Sequence, residues 1–421
     1  MAEVTPARAS AFRSLLKMKC GKYTNLEVNT TLQRASLTPE DKALYTRLTY
    51  GVTERLITLD AAISQYSSTP VEKISEEALA SLRLGLYQLK YCDRIPDHAA
   101  VSESVELCPK KQKGFVNAVL RAFVRADKEI KLPDNPVDRL SVLYSVPKEL
   151  CELFTEWYGE RAEKIFKAFF GEEKISLRVN TLKITAQQAA QSLSGKISEI
   201  AENSITVNDF SGVAEGIEKG LWFVQDEASS LCVQTLGCKP GELFVDTCAA
   251  PGGKTFAAAI DMENRGRVVS LDIHKNKLSL ISNGAKKLGL TVVETSERDA
   301  REPDPDLFGK ADRVLCDAPC SGLGVIGKKP DIKYKDTADI ERLPKIQSAV
   351  LSGAARYVKV GGTLVYSTCT LNPLENEGVC EGFLSENPDF ELCSMRTLFP
   401  DTDKTDGFFI CKMRKRESCG Q

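Results

Sequence analysis

From about residue 219 onward, short apolar segments alternate with longer helical ones, and this alternation constrains the fold more than any other feature of the chain. Such a pattern is typical of a mainly parallel sheet covered by helices on both faces. A last apolar segment, residues 407–413, is predicted to enter the sheet as an antiparallel strand. The other predicted strands are 243–245, 268–271, 291–293, 313–316 and 363–366, and the predicted helices are 255–262, 276–288 and 339–358.

The first 130 residues show a different pattern, with apolar residues at helical spacing and few β-branched runs. Thr38 and Ser75 each precede an acidic first turn, as helix N-caps do. This part of the chain is therefore predicted to be all-α. Its predicted helices cover residues 9–17, 39–62, 75–91, 98–107 and 113–126.

A proline-rich connector from Leu132 to Pro147 is the best domain boundary in the sequence. Beyond it, the chain mixes helices (148–157, 162–169 and 186–193) with short strands (176–179 and 205–207). These patterns predict three domains: an all-α domain at 1–132, a small α/β linker domain at 145–218 and a larger α/β domain at 219–417.

Composition is ordinary for a globular protein, with 42% hydrophobic and 27% charged residues among 421. No run of about 18 apolar residues is present that could cross a membrane. Residues 1–6 lack the charged region and apolar stretch of a signal peptide, so none is expected. We therefore expect a cytoplasmic protein with no membrane partner.

The 14 cysteines are scattered, form no C-x-x-C pair and are accompanied by only two histidines, His98 and His274. This spacing does not form a zinc-type cluster, so no metal site is expected. In a reducing compartment most such thiols are small buried hydrophobic groups. That expectation covers Cys20, Cys92, Cys108, Cys151, Cys232, Cys238, Cys316, Cys380, Cys393 and Cys411.

The net charge is −2, so the chain is not globally basic, although residues 1–131 carry 20 Lys and Arg against 15 Asp and Glu. Any contact with nucleic-acid phosphates would therefore be local. Each short basic run is either such a contact or an ordinary solvated surface, and the sequence alone leaves both open. The runs are Lys110, Lys111 and Lys113; Lys328, Lys329, Lys333 and Lys335; and residues 412–416.

A turn of small residues joins the predicted strand ending near Asp246 to the helix after Thr255. It is not a P-loop, which needs glycine where Cys248 stands, and no third glycine completes a dinucleotide fingerprint. The turn resembles motif I of the methyltransferases that use S-adenosylmethionine (SAM). That resemblance implies SAM binding by Cys248, Ala249, Ala250, Pro251, Gly252, Gly253 and Lys254.

Acidic residues close the next three predicted strands. Asp272 lies 20 residues beyond Gly252, where a carboxylate can accept hydrogen bonds from both ribose hydroxyls. Asp299 follows the third strand and could accept a hydrogen bond from the adenine amino group. Asp317 ends the fourth strand, beside the expected position of the reactive methyl group. Their shared edge of the sheet predicts one ligand site.

Two segments each place a cysteine where an apolar strand runs into a loop: Asp-Ala-Pro-Cys, ending at Cys320, and Ser-Thr-Cys-Thr, around Cys369. Two thiols beside a SAM-type ligand indicate covalent chemistry on an electron-poor carbon. Carbon 5 of cytosine is a poor nucleophile, and a thiolate adding to carbon 6 turns the ring into an enamine that can attack a methyl sulfonium. The residues alone do not say which cysteine attacks.

These two segments resemble motifs IV and VI of the RNA cytosine-C5 methyltransferases. The resemblance implies that Cys369 is the nucleophile, that Cys320 assists product release, and that Asp317 holds the base edge or the methyl donor. The segments around His98 and Lys113–Arg121 resemble the helical NusB-type RNA-binding domain. With further matches around Arg178, Gln225 and Gly407, the chain is similar to the bacterial Sun/Fmu (RsmB) type of methyltransferase over nearly its whole length.

That family resemblance implies a Rossmann-like domain with a seven-stranded mixed sheet, and 16S ribosomal RNA, free or partly assembled, as the partner. A monomer is expected. Two alternatives stay open: the same chemistry on transfer RNA, and a non-catalytic RNA-binding or assembly factor on a degenerate methyltransferase fold. The intact cysteines and SAM loop argue against the second.

Overall fold

The computed structural model describes residues 4–18, 24–171, 174–335 and 337–417. Its contacts divide the chain into two compact units, one of Met1–Lys167 with Ile326–Lys335 and the other of Ala168–Val325 with Asp336–Gln421. No helix among these described residues is long and apolar enough to cross a membrane.

The first unit is helical, as its periodicity predicts. The side chains of Thr38 and Ser75 accept hydrogen bonds from the backbone N–H groups of Asp41 and Ala78, so both predicted caps are confirmed. The predicted helix 39–62 is instead two helices, because the backbone departs from helical geometry at Arg55. The helices are α1 (Pro6–Met18), α2 (Thr24–Arg34), α3 (Pro39–Glu54), α4 (Leu56–Tyr66), α5 (Glu76–Tyr91), α6 (Asp97–Leu107), α7 (Lys113–Arg125), α8 (Pro136–Tyr144), α9 (Lys148–Tyr158) and α10 (Arg161–Ala168).

Helices α2 and α8 are not predicted by the sequence pattern. α2 has few apolar residues and therefore gives no periodic signal. α8 lies inside the proline-rich connector, where the Asn135 side chain accepts hydrogen bonds from the N–H groups of Val137 and Asp138. Pro136 occupies the first turn, where its missing N–H has no intrahelical partner to lose. The connector is thus partly helical.

Residues Ile326–Lys335, here called the strap, complete the helical unit although they come from the second half of the sequence. The Lys333 ammonium donates to the carbonyl of Glu54 at the end of α3 (2.7 Å), and the Tyr334 hydroxyl donates to the carbonyl of Thr53 (3.0 Å). Lys333 is 1% exposed, and this burial lowers its pKa to about 7. The prediction that Lys333 belongs to a surface basic run is therefore wrong.

The second unit begins with a small antiparallel sheet of order β2-β3-β1-β4. Strand β4 pairs with β1 and lies beyond residue 218, so this sheet extends past the predicted end of the linker domain. Helices α9 and α10, in turn, fall at or before residue 168, largely within the first unit. The elements are β1 (Ile175–Val179), α11 (Ala186–Ser192), β2 (Lys196–Ile197), β3 (Ser204–Val207), α12 (Val213–Glu218) and β4 (Trp222–Val224).

A seven-stranded mixed sheet of order β10-β11-β9-β8-β5-β6-β7 forms the rest of the unit, as the resemblance implies. Strands β5 to β9 are parallel, and β11 runs antiparallel between β9 and β10. The elements are α13 (Glu227–Leu236), β5 (Leu243–Asp246), α14 (Gly253–Asp261), β6 (Arg267–Asp272), α15 (Lys275–Leu288), β7 (Val293–Glu297), β8 (Ala311–Asp317), α16 (Ala338–Ala355), β9 (Val358–Thr368), α17 (Glu377–Glu386), β10 (Phe390–Leu398) and β11 (Phe408–Lys415).

Alternate residues of the central strands enter different cores. Val245 packs with residues of α16 and α17 on one face, whereas its neighbour Phe244 packs with residues of α13, α14 and α15 on the other. Burial on both faces explains why these strands read as continuous apolar runs, and it confirms the predicted layer arrangement.

Several predicted bounds are wrong. β7 covers 293–297 rather than 291–293, and α16 ends before β9 begins at Val358, although the predicted helix ran to 358. Helices α13 and α17 and strand β10 were not predicted. Cys393, on the edge strand β10, is exposed rather than buried, and Cys238 is half-buried; Cys20 lies outside the described residues. The predicted burial is confirmed for Cys92, Cys108, Cys151, Cys232, Cys316, Cys380 and Cys411.

Candidate active site

The strand order of the large sheet reverses at β5, which has β6 on one side and β8 on the other. In an open α/β sheet, ligands bind beyond the carboxyl ends of the strands at such a reversal. The predicted site residues follow the ends of β5, β6, β7, β8 and β9, which are parallel. The topology therefore brings them to one edge.

The loop after β5 leads directly into α14, which begins at Gly253. Gly252 has φ of +114°, and a Cβ there would lie 2.5 Å from the Phe256 ring, so only glycine fits. The N–H of Ala249 donates to the carbonyl of Leu271, and the Ala250–Pro251 peptide bond is cis. The loop backbone is thus held against the end of β6.

Asp272, at the end of β6, supports this loop. Its carboxylate accepts hydrogen bonds from the N–H of Ala250 (3.1 Å) and of His274 (2.9 Å), and the residue is only 7% exposed. A carboxylate oxygen can accept more than one hydrogen bond, so both oxygens keep acceptor capacity for a ligand hydroxyl. The structure brings Asp272 and the loop together, as the 20-residue spacing predicts.

Asp299 lies at the same edge but its carboxylate is already engaged. The Arg301 guanidinium donates from Nε to both carboxylate oxygens (3.0 Å each) and from a terminal nitrogen to one of them (2.5 Å). These hydrogen bonds lower the pKa of Asp299. Asp299 as an adenine contact remains a prediction.

Asp317, at the end of β8, forms an ion pair with Lys254 from the first turn of α14 (2.7 Å). The Ser367 hydroxyl donates to the other carboxylate oxygen (2.7 Å), and the ammonium lies 5.2 Å from the centre of the Phe408 ring. Burial alone would lower the pKa of Lys254, but the charge and hydrogen bond of Asp317, with smaller effects of the Cys232 and Cys369 sulfurs, outweigh it and raise that pKa. A lasting positive charge therefore lies beside Cys369.

The two predicted cysteines meet. The Cys320 and Cys369 sulfurs are 3.3 Å apart, and both residues are half-buried. The hydrogen bond with Cys369, followed by burial, raises the pKa of the Cys320 thiol well above its usual range. Burial also raises the pKa of Cys248, in the SAM loop, so this third thiol stays protonated.

Sequence reasoning missed a buried polar cluster beneath these cysteines. Glu375 has no exposed surface, and its carboxylate accepts hydrogen bonds from Ser321 N (2.9 Å), Gln347 Nε2 (2.8 Å) and Asn372 Nδ2 (3.0 Å). Three polar residues follow soon after the Cys369 segment, namely Asn372, Glu375 and Asn376, but the sequence does not indicate that they are buried.

Asp246, at the end of β5, is a second buried carboxylate near this edge that sequence reasoning missed. It is 1% exposed, and its carboxylate accepts a hydrogen bond from the Thr255 hydroxyl (2.8 Å). Burial raises its pKa to about 7. Its position just before the SAM loop was the signal that could have identified it.

Comparison with known proteins agrees with this geometry. The sequence profile described as 16S rRNA methyltransferase RsmB/F matches residues 233–414, and the NusB family profile matches residues 5–125. The probable ribosomal RNA small subunit methyltransferase B of Bacillus subtilis (strain 168) is 37% identical over 98% of this chain and 99% of its own. The chain belongs to the RsmB/F family of 16S rRNA methyltransferases. This membership confirms the predicted SAM cofactor, the NusB-like RNA-binding domain and RNA as the substrate class.

Solved structures share the fold of this RsmB/F-family chain. The crystal structure of PH0851 has a TM-score of 0.80, covering 98% of this chain and all of its own at 24% identity. NSun6 from Pyrococcus horikoshii, solved with SFG, has a TM-score of 0.59 at 25% identity and covers 66% of this chain and all of its own.

The residues at the sheet edge fit SAM. Gly252 and Gly253 leave the start of α14 without side chains, so a ligand carboxylate can approach its backbone N–H groups. Asp272 has carboxylate oxygens at the neighbouring strand end that could accept hydrogen bonds from ribose hydroxyls, and Asp317 lies on the cysteine side. This set of donors and acceptors is what a cofactor with a carboxylate at one end and ribose hydroxyls at the other requires.

Proposed function

We propose that this RsmB/F-family enzyme methylates carbon 5 of a cytosine in 16S ribosomal RNA through a covalent adduct with Cys369. The observation that carries the proposal is the 3.3 Å approach of the Cys369 and Cys320 sulfurs, at the edge of the sheet where we propose that SAM binds. Phosphoryl or hydride transfer would have no use for paired thiols, whereas addition to a pyrimidine ring needs one thiol to bond and later leave.

Charge supports Cys369 as the nucleophile. Cys369 is among the groups that raise the pKa of Lys254, and by reciprocity the Lys254 cation favours the Cys369 thiolate. The thiolate forms a bond to carbon 6 and shifts the ring electrons to carbon 5. When bound, SAM supplies the electrophilic methyl group that carbon 5 accepts. Asp272 and the Cys248–Lys254 backbone would hold the cofactor, with Asp317 keeping Lys254 in place.

Release requires the loss of the carbon-5 proton and breakage of the bond between carbon 6 and sulfur. Because Cys320 is protonated and touches Cys369, its S–H can protonate the departing sulfur. The Cys320 sulfur, now negative, then accepts the carbon-5 proton. Both thiols end protonated, so atoms and charge balance.

The test compares Cys369→Ala and Cys320→Ala with SAM and 16S ribosomal RNA. Cys369→Ala should neither methylate nor form a covalent complex. Cys320→Ala should attack and methylate but release slowly, so an RNA–protein adduct should survive denaturing electrophoresis. An adduct in Cys369→Ala, with none in Cys320→Ala, would instead make Cys320 the nucleophile.

Substrate choice is read in the same assay. Labelled methyl groups on 16S ribosomal RNA and not on transfer RNA are expected, and bisulfite mapping then locates the cytosine. Because RNA helices hide base edges, the target should lie in a loop or be flipped out. Cytoplasmic location, a monomeric state and the three-domain boundaries stay predictions.

A further inference from the structure

The backbone on both sides of Cys320 is fixed by two buried side chains. Glu375 accepts the N–H of Ser321, immediately after the cysteine, while the Gln347 amide donates to the carbonyl of Pro319, immediately before it (3.0 Å). The same Gln347 nitrogen also donates to Glu375. Cys320 is therefore held through its two neighbours.

The Cys369 loop is tied to the same cluster. The hydroxyls of Ser321 and Thr370 share a hydrogen bond (2.7 Å), and Asn376 Nδ2 donates to the carbonyl of Thr370 (3.0 Å). Thr370 follows Cys369 directly, and Asn376 follows Glu375. The separation of the two sulfurs thus depends on a cluster centred on Glu375.

The cluster requires an acceptor, and a carboxylate is acceptor-only. Three N–H groups converge on Glu375, so an amide in its place would point its own N–H toward at least one of them. Burying a carboxylate is unfavourable unless its hydrogen bonds are satisfied. A buried charge that is unfavourable for stability and lies beside the reacting thiols is typical of a functional residue.

The charges around the two thiols are unequal. The hydrogen bond with Cys369, followed by burial, raises the pKa of Cys320 most, and the Glu375 charge adds to that rise. On the other side, Cys369 interacts with the Lys254 cation, whose ion-pair partner is Asp317. Tyr366, whose hydroxyl donates to the carbonyl of Glu375 (2.7 Å), is a titratable group that also interacts with Cys320. The anion lies toward Cys320 and the cation toward Cys369.

We propose that Glu375 is a positioning residue that holds the Cys320 loop against the Cys369 loop and, through its negative charge, leaves the nucleophile's role to Cys369. This inference rests on the proposed function for its meaning in the reaction. The proposal also predicts that the two thiols differ in reactivity in the free protein, and this difference can be measured without RNA or SAM.

The experiment follows alkylation of each thiol by iodoacetamide, from pH 6 to 9, with mass spectrometry on the full chain. In the unmodified protein Cys369 should react first. Glu375→Gln should speed Cys320 alkylation by about tenfold, the effect of one pKa unit. Glu377→Gln is the matched control, because Glu377 lies two residues on and bonds Thr397 instead (2.9 Å).

Equal ratios of Cys320 to Cys369 alkylation in folded Glu375→Gln and Glu377→Gln would overturn the proposal. If Glu375→Gln does not fold, Glu375→Asp serves, since it keeps the charge but shortens the reach. In the Glu375→Asp variant, iodoacetamide should still alkylate Cys369 first. Its kcat should fall at least about tenfold while its KM for SAM stays unchanged. An unchanged kcat would refute the positioning role of Glu375. Failure of the unmodified enzyme to make 5-methylcytosine would reject the proposed function but leave the alkylation comparison intact.

Discussion

At the scale of single residues, carboxylates at the strand ends have different electrostatic states. Asp246 is buried with a pKa raised to about 7, whereas hydrogen bonds from Arg301 lower the pKa of Asp299. Asp317 is paired with Lys254, and Asp272 accepts two backbone N–H groups. Identical side chains at equivalent positions of one sheet edge can therefore take different parts in binding a ligand.

Asp272 gives the most direct test of the cofactor site. Asp272→Ala should weaken SAM binding by roughly 1.5–3 kcal/mol, because a hydrogen bond to a charged group is lost. Asp272→Asn should retain part of the affinity, since one oxygen still accepts. Calorimetry measures both, with Glu297→Gln at the exposed end of β7 as the control. Unchanged SAM affinity in Asp272→Ala would remove Asp272 from the site.

The paired cysteines were predictable because each follows an apolar strand in a distinctive motif. Glu375 and Gln347 were not, because their importance comes from burial and from partners far along the chain. The engagement of Asp299 by Arg301 was also missed, since a charged neighbour two residues away is uninformative until side-chain directions are known.

At the scale of secondary-structure elements, prediction succeeded where burial dictates the pattern. Central strands β5, β6, β8 and β9 are apolar on both faces. All four were predicted, although each predicted range is shorter than the observed strand. Edge strand β7 is largely polar and β10 mixes polar with apolar residues, and both are partly exposed, so the predicted β7 was displaced and β10 was not predicted. Edge strands carry charge because a bare apolar edge would pair with other chains.

The strap yields a prediction about pH. Lys333 has a folded-state pKa of about 7 against an ordinary 10.5, so the unfolded chain binds more protons between these values. Stability should therefore rise with pH from about 7 to 10, by about 1.4 kcal/mol for each unit at most. Lys333→Met should lack this rise in urea unfolding at pH 7 and 9.

The exposed Lys329 of the same strap is the matched control. Lys329→Met should follow the unmodified protein at both pH values. If the free energy of unfolding of Lys333→Met rises with pH as much as that of the unmodified protein, the Lys333 ammonium stays protonated despite its burial.

At the scale of the whole molecule, RNA affinity should come from the helical unit. Lys110 and Lys111 are exposed, whereas Lys113 is paired with Glu106 (2.5 Å) and contributes less free charge than the sequence suggested. Lys110→Glu with Lys111→Glu should weaken RNA binding and flatten its salt dependence, because fewer counterions are released. Filter binding at several salt concentrations measures both effects, and SAM affinity should not change.

The control for this pair is Lys42→Glu with Lys73→Glu, the same charge change at exposed positions elsewhere on the unit. If both double variants bind RNA alike, the run at 110–113 is an ordinary solvated surface and only the total charge matters.

The strap also has a consequence for how the protein is made. A ribosome finishes residue 167 well before it reaches residue 335, so the helical unit emerges without the ten residues that complete it. At about 5–20 residues per second, that interval lasts on the order of 10–30 s. Until the strap has been synthesised, the carbonyl groups of Thr53 and Glu54 lack the hydrogen bonds that Tyr334 and Lys333 donate to them. The N-terminal part of this chain is therefore first to be translated but cannot be first to finish folding.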